Sequence, residues 1–264
     1  MCHKPKQYTS DLRCRRQWEL ILGILPERSG VGRPMLLDIK QVIRAIYYVG
    51  VTGCQWSNLP GEFPNYKRVY YHYRKWCLDG TWRGINRHMV YLERLRVGRF
   101  PYPSAGIMDS QSVKTTESGG LRGYDGNKKV NGRKRQILVD TLGNLLDVVV
   151  TAANLHDTKG AMLLLNKVEE MTTLRLLKIW ADKGYRGDFI TLVKQQWDIH
   201  LEIVQREVGQ TGFVLEARRW VVERTFAWLG KYRRLSKDYE HCTHSSEGMI
   251  YIASIHTMLK RFYV

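Results

Sequence analysis

Acidic residues are scarce in this 264-residue chain. Only 25 Asp and Glu stand against 42 Lys and Arg, a formal charge of +17. Such a surplus points to a polyanionic partner, and nucleic acid leads because cations that neutralise phosphates release counterions. A merely soluble basic protein, or one that touches anionic lipid, is the plainer reading. Cysteine is also sparse. Cys2, Cys14, Cys54, Cys77 and Cys242 are odd in number and scattered, and no Cys-x-x-Cys pair occurs. That argues against a disulfide framework and for reduced thiols. Cys242 and His244 make at most half of a zinc site. No apolar run reaches 18 residues, so no transmembrane helix is expected. Met1 to Ser10 lacks the apolar centre of a signal peptide. The expectation is a cytoplasmic, nucleoid-associated protein that makes no membrane contact.

Apolar residues are not lacking. They form 44% of the chain, enough for a substantial core. Up to about residue 100 their spacing is helical. Leu12, Trp18, Ile21, Leu22 and Leu25 form one stripe, and Ile39, Val42, Ile43, Ile46 and Val49 form a second, closed by Gly50 and Gly53. Tyr66 to Trp76 and Trp82 to Leu95 read as two more helices. Short helices joined by a Gly/Pro turn suit a helix-turn-helix. Gly98 to Ser104 reads as a linker. Strand patterns follow at Ala105–Asp109, Gln136–Asp140 and Leu145–Ala153, with a hairpin turn at Leu142-Gly143-Asn144. Then come a helix from Thr158 with Asp157 as its cap, a strand ending at Ala181, a helix to Trp197, a strand at His200–Val204, and helices at Glu216–Tyr232 and Ser245–Phe262. The expected division is a helical unit over 1–100 and an α/β unit over 101–264.

Three acids stand apart in that order. Asp109 and Asp182 end strands, and Glu223 lies in the helix after the last strand, successive members being 73 and 41 positions apart. Carboxylates at strand ends can converge at one sheet edge, and a helix across that edge can add a third. Such a cluster needs a cation to stay ionised. Hard oxygen ligands suit magnesium or manganese, and paired ions can clamp both oxygens of a phosphodiester. Each acid also has a plain reading. Asp109 and Asp182 could be turn residues, and Glu223 could pair with Arg219 one helical turn away.

Longer motifs surround these acids. They are Met108-Asp109-Ser110-Gln111-Ser112-Val113-Lys114-Thr115, the run Gly123 to Arg135, Val139-Asp140-Thr141-Leu142-Gly143, Ala181-Asp182-Lys183-Gly184-Tyr185-Arg186-Gly187, Arg218 to Leu229, and Arg233-Arg234-Leu235. With Thr52-Gly53-Cys54-Gln55-Trp56 and Leu59-Pro60 nearer the start, they resemble the DDE transposases of the IS-five insertion-sequence family over nearly the whole chain. The resemblance implies a ribonuclease H-like catalytic domain, a mixed sheet flanked by helices, preceded by a small all-α helix-turn-helix-like domain. It implies that Asp109, Asp182 and Glu223 are the catalytic residues and ligands of Mg²⁺ or Mn²⁺. The implied partners are double-stranded DNA, as terminal inverted repeats and as target, and further copies of the chain. Some relatives carry Tyr, Arg, Glu and Lys in series on the last catalytic helix. Arg219 fits, Glu216 stands where the Tyr would be, and Lys231 lies one residue too far.

The basic residues are grouped. Lys67 to Arg99 holds nine against two acids, with Tyr66, Tyr70, Tyr71 and Tyr73 interleaved. Lys67, Arg68, Arg74 and Lys75 are the expected DNA contacts of a reading helix. Lys114 to Arg135 holds seven against two in a Gly-rich stretch. Lys114, Lys128, Lys129, Arg133, Lys134 and Arg135 are expected on a mobile loop that grips phosphates. Arg219 and Arg224 beside Glu223 complete the expected DNA contacts. Trp220 and Trp228 read better as packing than as base stacking, and His156 as a loop residue. Two other functions fit parts of this pattern: a metal-dependent nuclease that cuts without joining, and a non-enzymatic DNA-binding regulator. A regulator would be expected to have lost a carboxylate, and all three are present.

Overall fold

A computed structural model describes residues 7–26, 37–117, 119–169, 175–204 and 218–263. Four helices come first: α1 (Arg15–Ile24), α2 (Ile39–Thr52), α3 (Tyr66–Leu78) and α4 (Thr81–Arg96). Their ends follow from the sequence. Asp38 and Asn65 accept the backbone N–H groups of Lys40 and Lys67, capping α2 and α3. Gly53, at φ 71°, closes α2 with its N–H on the Val49 carbonyl. On α3 the residues turned inward are Val69, Tyr73 and Trp76, one helical face.

The rest is a mixed sheet flanked by helices. In chain order it comprises β1 (Ala105–Lys114), β2 (Gly123–Asp125), β3 (Val130–Asp140), β4 (Leu145–Ala152), α5 (Asp157–Glu169), β5 (Lys178–Ala181), α6 (Asp188–Trp197), β6 (His200–Ile203), α7 (Arg219–Gly230) and α8 (Thr243–Leu259). β3 lies beside β1 and pairs antiparallel with β1, β2 and β4. β5 joins the far side of β1 in parallel, and β6 joins β5 in parallel. The β3–β4 turn falls at the Gly143 expected for it, with φ 83°. The expected helix start at Glu216 lies outside the described residues.

α8 binds the helices to the sheet. It is apolar on nearly every side, which suits only a buried helix, and Met249 to Ile255 and Met258 to Leu259 are all buried. It packs against α2, α3, α4 and β4. Tyr73 of α3 donates to the Ser245 carbonyl at 2.6 Å. Two aspartates with no exposed surface fasten α4 to the hairpin. Asp147 takes a two-pronged contact from Arg83 at 2.7 and 2.9 Å and also lies against Arg87 and Lys167. Asp140 takes Arg94 at 2.6 Å and the backbone N–H groups of Leu142 and Asn144. Arg83, Arg87 and Arg94, part of the basic run from 67 to 99, therefore hold the fold together.

The stretch from 114 to 135 corrects an expectation. It is no mobile loop: β1 runs to Lys114, β2 occupies 123–125, and β3 begins at Val130 rather than Gln136. Arg133, Lys134 and Arg135 lie within β3 and are buried. Arg133 donates to the carbonyls of Leu121, Glu240 and His241 and to Ser246, and pairs with Asp238 at 3.2 Å. Arg135 donates to the carbonyls of Leu235 and Lys237. Lys134 points to the opposite face, where it meets Asp157 and the Leu155 carbonyl, both at 2.9 Å. All three charged groups lie inside the protein against carbonyls and carboxylates, so none of the three presents itself to a phosphate.

Candidate active site

The geometry of the carboxylates follows from strand lengths. Asp109 was expected at a strand end, but β1 continues five residues past it. β5 is the short strand. Its last pairing with β1 is Trp180 with Ile107, and Asp182 lies two residues beyond Trp180 as Asp109 lies two beyond Ile107. The two acids thus reach the same level where β5 stops and leaves the flank of β1 open. Asp109 Oδ1 accepts the Ser110 N–H at 2.7 Å, and Asp182 Oδ1 accepts the Gly184 N–H at 2.9 Å. The Asp109 carboxyl is pushed up to about 6. Enclosure by protein is the main cause and the charge of Asp182 a further one, while the Ser110 N–H, Arg219 and Lys128 pull it down. Asp182 is therefore brought close enough to Asp109 for its charge to oppose the ionisation of Asp109.

Glu223 is placed differently. It lies on the exposed side of α7, its side chain 58% exposed, and pairs with Arg219 at 3.4 Å. The same Arg219 also acts on Asp109, so one guanidinium serves both the third acid and the first. Among the described residues no three His, Cys, Asp or Glu side chains converge as a ready metal cage. The chemistry of the pair still fits a divalent cation. Two oxygen donors at one open sheet edge, one of them costly to ionise, are a set that a hard cation relieves. Asp109 and Asp182 would hold it, and Glu223 could join by a movement of its side chain away from Arg219.

A fourth acid was read only as a helix cap. Asp157, which opens α5, accepts the Ser110 hydroxyl at 3.0 Å and Lys134 at 2.9 Å on the same oxygen, Oδ1. A β-carbon placed on Gly184 would lie 3.0 Å from Asp182 Oδ1 and 3.4 Å from Asp157 Oδ2, so about one glycine's width separates these carboxylates. Tyr185 is buried beside them. Its phenol is raised well above its ordinary value, first by burial, then by Asp109, Asp157 and Asp182. His156 is exposed, and its ring nitrogen meets the Thr158 hydroxyl at 2.8 Å, a local contact.

The basic residues near the edge divide. Lys114, Lys128 and Lys129 are exposed, and Lys128 donates to the Ser110 carbonyl at 3.0 Å. Arg224 is stacked between Trp220 and Trp228, at 4.4 and 4.6 Å to the ring centres, and donates to the Leu142 carbonyl. It holds the β3–β4 turn to α7 while staying half-buried. On α3, Lys67, Arg68, Arg74 and Lys75 are all exposed, with Tyr70 and Tyr71 beside them. No helix among the described residues is long and apolar enough to cross a membrane.

A family model described as "Transposase DDE domain" matches residues 101–258, the stretch that contains both converging aspartates and α7. The chain belongs to this family. A second model, described as "Putative transposase of IS4/5 family", matches residues 14–86, the helices α1 to α3 and the start of α4. A curated relative from Burkholderia cepacia, named "Putative transposase for insertion sequence element IS402", is 32% identical over 115 residues. That match covers 41% of this chain and 54% of the relative, so it spans about half of the relative's length. The mixed sheet with flanking helices fits the ribonuclease H-like arrangement of a DDE domain.

Proposed function

We propose that this chain is the transposase of an insertion sequence: it binds the element's ends, cuts DNA phosphodiesters there and joins the 3′ ends to target DNA. The observation that carries this reading is the meeting of Asp109 and Asp182 at the open flank of β1, with α7 bringing Glu223 and Arg219 alongside. Asp109, Asp182 and Glu223 are the ligands in this reading, and Mg²⁺ the ion, with Mn²⁺ able to replace it. Such an ion polarises the phosphodiester and makes water or a 3′-hydroxyl a competent nucleophile. The protein's own part is placement. β1 fixes Asp109 rigidly, the Gly184 N–H orients Asp182, and Lys128 with Lys129 offers positive charge to the phosphates entering the edge.

The helical part, residues 1–100, supplies DNA choice in this reading. α3 is the reading helix of a helix-turn-helix-like unit, and its four exposed cations face outward while Val69, Tyr73 and Trp76 anchor it. Synapsis of two ends calls for at least two copies of the chain.

The test is incubation of the full chain with linear DNA carrying its element's ends and Mg²⁺, scoring nicking and joining separately. Cutting with joining of pre-cut ends is expected. Cutting without joining would make the protein a nuclease, and binding without either would make it a regulator. Asp109→Ala, Asp182→Ala and Glu223→Ala should each abolish cutting and leave end binding within about threefold, since these acids act through a cation rather than on DNA. Full cleavage by any one variant removes that residue from the site.

A further inference from the structure

The carboxylate pair has a supporting chain of contacts on the opposite face of the sheet. Ser110 and Lys134 lie on that face, two positions apart in the β1–β3 register. Lys134, whose side chain is 7% exposed, holds Asp157 Oδ1 at 2.9 Å. The same oxygen accepts the Ser110 hydroxyl at 3.0 Å. Ser110 in turn donates its backbone N–H to Asp109 Oδ1 at 2.7 Å. The buried cation is thus linked, through one carboxylate and one serine, to the first acid of the site. The other oxygen of Asp157 faces Asp182 across Gly184, so the same side chain borders the second acid. Tyr185 fills the space beneath with a buried hydroxyl that lies towards Ser110 without a well-formed hydrogen bond. A polar group left so in the interior marks a spot whose bonding is incomplete.

We propose that Asp157 is a positioning residue for the metal site, acting through Ser110 on Asp109 and by its own charge on Asp182. The inference rests on the reading of Asp109 and Asp182 as metal ligands. Physically it is the outer-shell role: a carboxylate that accepts from the residue orienting a ligand fixes that ligand's direction. Loss of such a partner commonly lowers metal affinity 10- to 100-fold. Lys134 pins Asp157 to one rotamer through its contact at 2.9 Å. Without it, a carboxylate this near Asp182 would be free to turn away.

The experiment measures Mn²⁺ binding to the full-length chain without DNA, by the loss of the free-ion electron paramagnetic resonance signal. The proteins are the unmodified chain, Ser110→Ala, Asp157→Asn, their double variant, and Asp109→Asn. Melting in EDTA is recorded for each. Ser110→Ala leaves the Lys134–Asp157 pair whole, so it should melt within a few degrees of the unmodified chain yet bind Mn²⁺ roughly tenfold more weakly. Asp157→Asn should weaken binding at least as much. The double variant should be little worse than Asp157→Asn alone, because both changes cut one chain of contacts. Unchanged Mn²⁺ affinity in Ser110→Ala, or a double variant equal to the product of the singles, overturns the proposal. Asp109→Asn separates the two readings. If it binds Mn²⁺ normally, the metal site itself fails. If it loses binding while Ser110→Ala and Asp157→Asn keep theirs, only the positioning role fails. Should Asp157→Asn not fold, Ser110→Ala alone decides.

Discussion

Two short basic stretches have opposite fates in this molecule. On α3, Lys67, Arg68, Arg74 and Lys75 point to solvent. On β3, Arg133, Lys134 and Arg135 point inward on both faces of the sheet and meet carbonyls and carboxylates. The residue types are alike, and so is the local excess of charge. The backbone period and the availability of acceptors separate them. An amphipathic helix has an outer face on which four cations stay hydrated. The middle of a strand within a sheet has none, so every donor needs a protein partner. Net charge along a sequence therefore locates cations without saying which of them a polyanion can reach.

The largest expected effect tests the buried side of this contrast. Arg133→Ala leaves Asp238 and three carbonyls facing a cavity, and removal of one partner from a buried ion pair costs about 3–5 kcal/mol. Arg68→Ala should change stability by no more than about 0.5 kcal/mol. Urea unfolding of both variants measures the difference. A stable Arg133→Ala that had lost only DNA affinity would return β3 to the DNA surface and break the comparison.

A smaller effect extends the comparison to the acids. Asp147 is buried among Arg83, Arg87 and Lys167, whereas Asp109 is enclosed beside another carboxylate. Asp109 holds its proton up to about pH 6 in the folded chain and up to roughly pH 4 in the unfolded one. Its contribution to stability is thus full below pH 4 and is lost as pH rises through 6. In EDTA at pH 7.5, Asp109→Asn should therefore be more stable than the unmodified chain by about 1–3 kcal/mol, and the gain should vanish near pH 4. Asp147→Asn should be less stable at pH 7.5. Thermal melts at the two pH values check both, and a destabilised Asp109→Asn at pH 7.5 would show that the site is not strained by its own charge.

How much of this was legible beforehand depends on whether the partners are local. The helix at α3 and the Gly143 turn follow from spacing and from one glycine, and the structure has both. The start of β3 was missed because Arg133 to Arg135 do not read as a strand. The groups that make their burial tolerable, Asp238 and the carbonyls between residues 235 and 241, lie about a hundred positions away. Asp109 was placed at a strand end for a similar reason: the open edge comes from the shortness of β5, not from β1. Asp157 looked like a cap because Ser110 and Lys134 are its neighbours only in three dimensions. Glu223 admits two readings, and it makes the ion pair with Arg219 that the plainer one describes.

The finest contrast lies within α3 itself. Arg68 and Arg74 carry planar donor forks that suit guanine edges, whereas Lys67 and Lys75 act as point charges suited to phosphates. Their placement is compatible with this division. All four are exposed, and Asn65 and Trp76 fix the helix at either end, so none is needed for folding. With the full chain and end DNA at physiological salt, Arg68→Ala or Arg74→Ala should cost about 1–3 kcal/mol on the true end and much less on scrambled DNA. Lys67→Ala and Lys75→Ala should weaken both DNAs alike and lower the slope of log affinity against log salt by about 1 each. The gap between the two DNAs is what the arginines supply, so it should narrow in the arginine variants and persist in the lysine variants. Equal losses on both DNAs for all four substitutions would leave α3 a purely electrostatic surface. Sequence choice would then have to lie elsewhere in the chain, and the contrast with β3 would reduce to exposure alone.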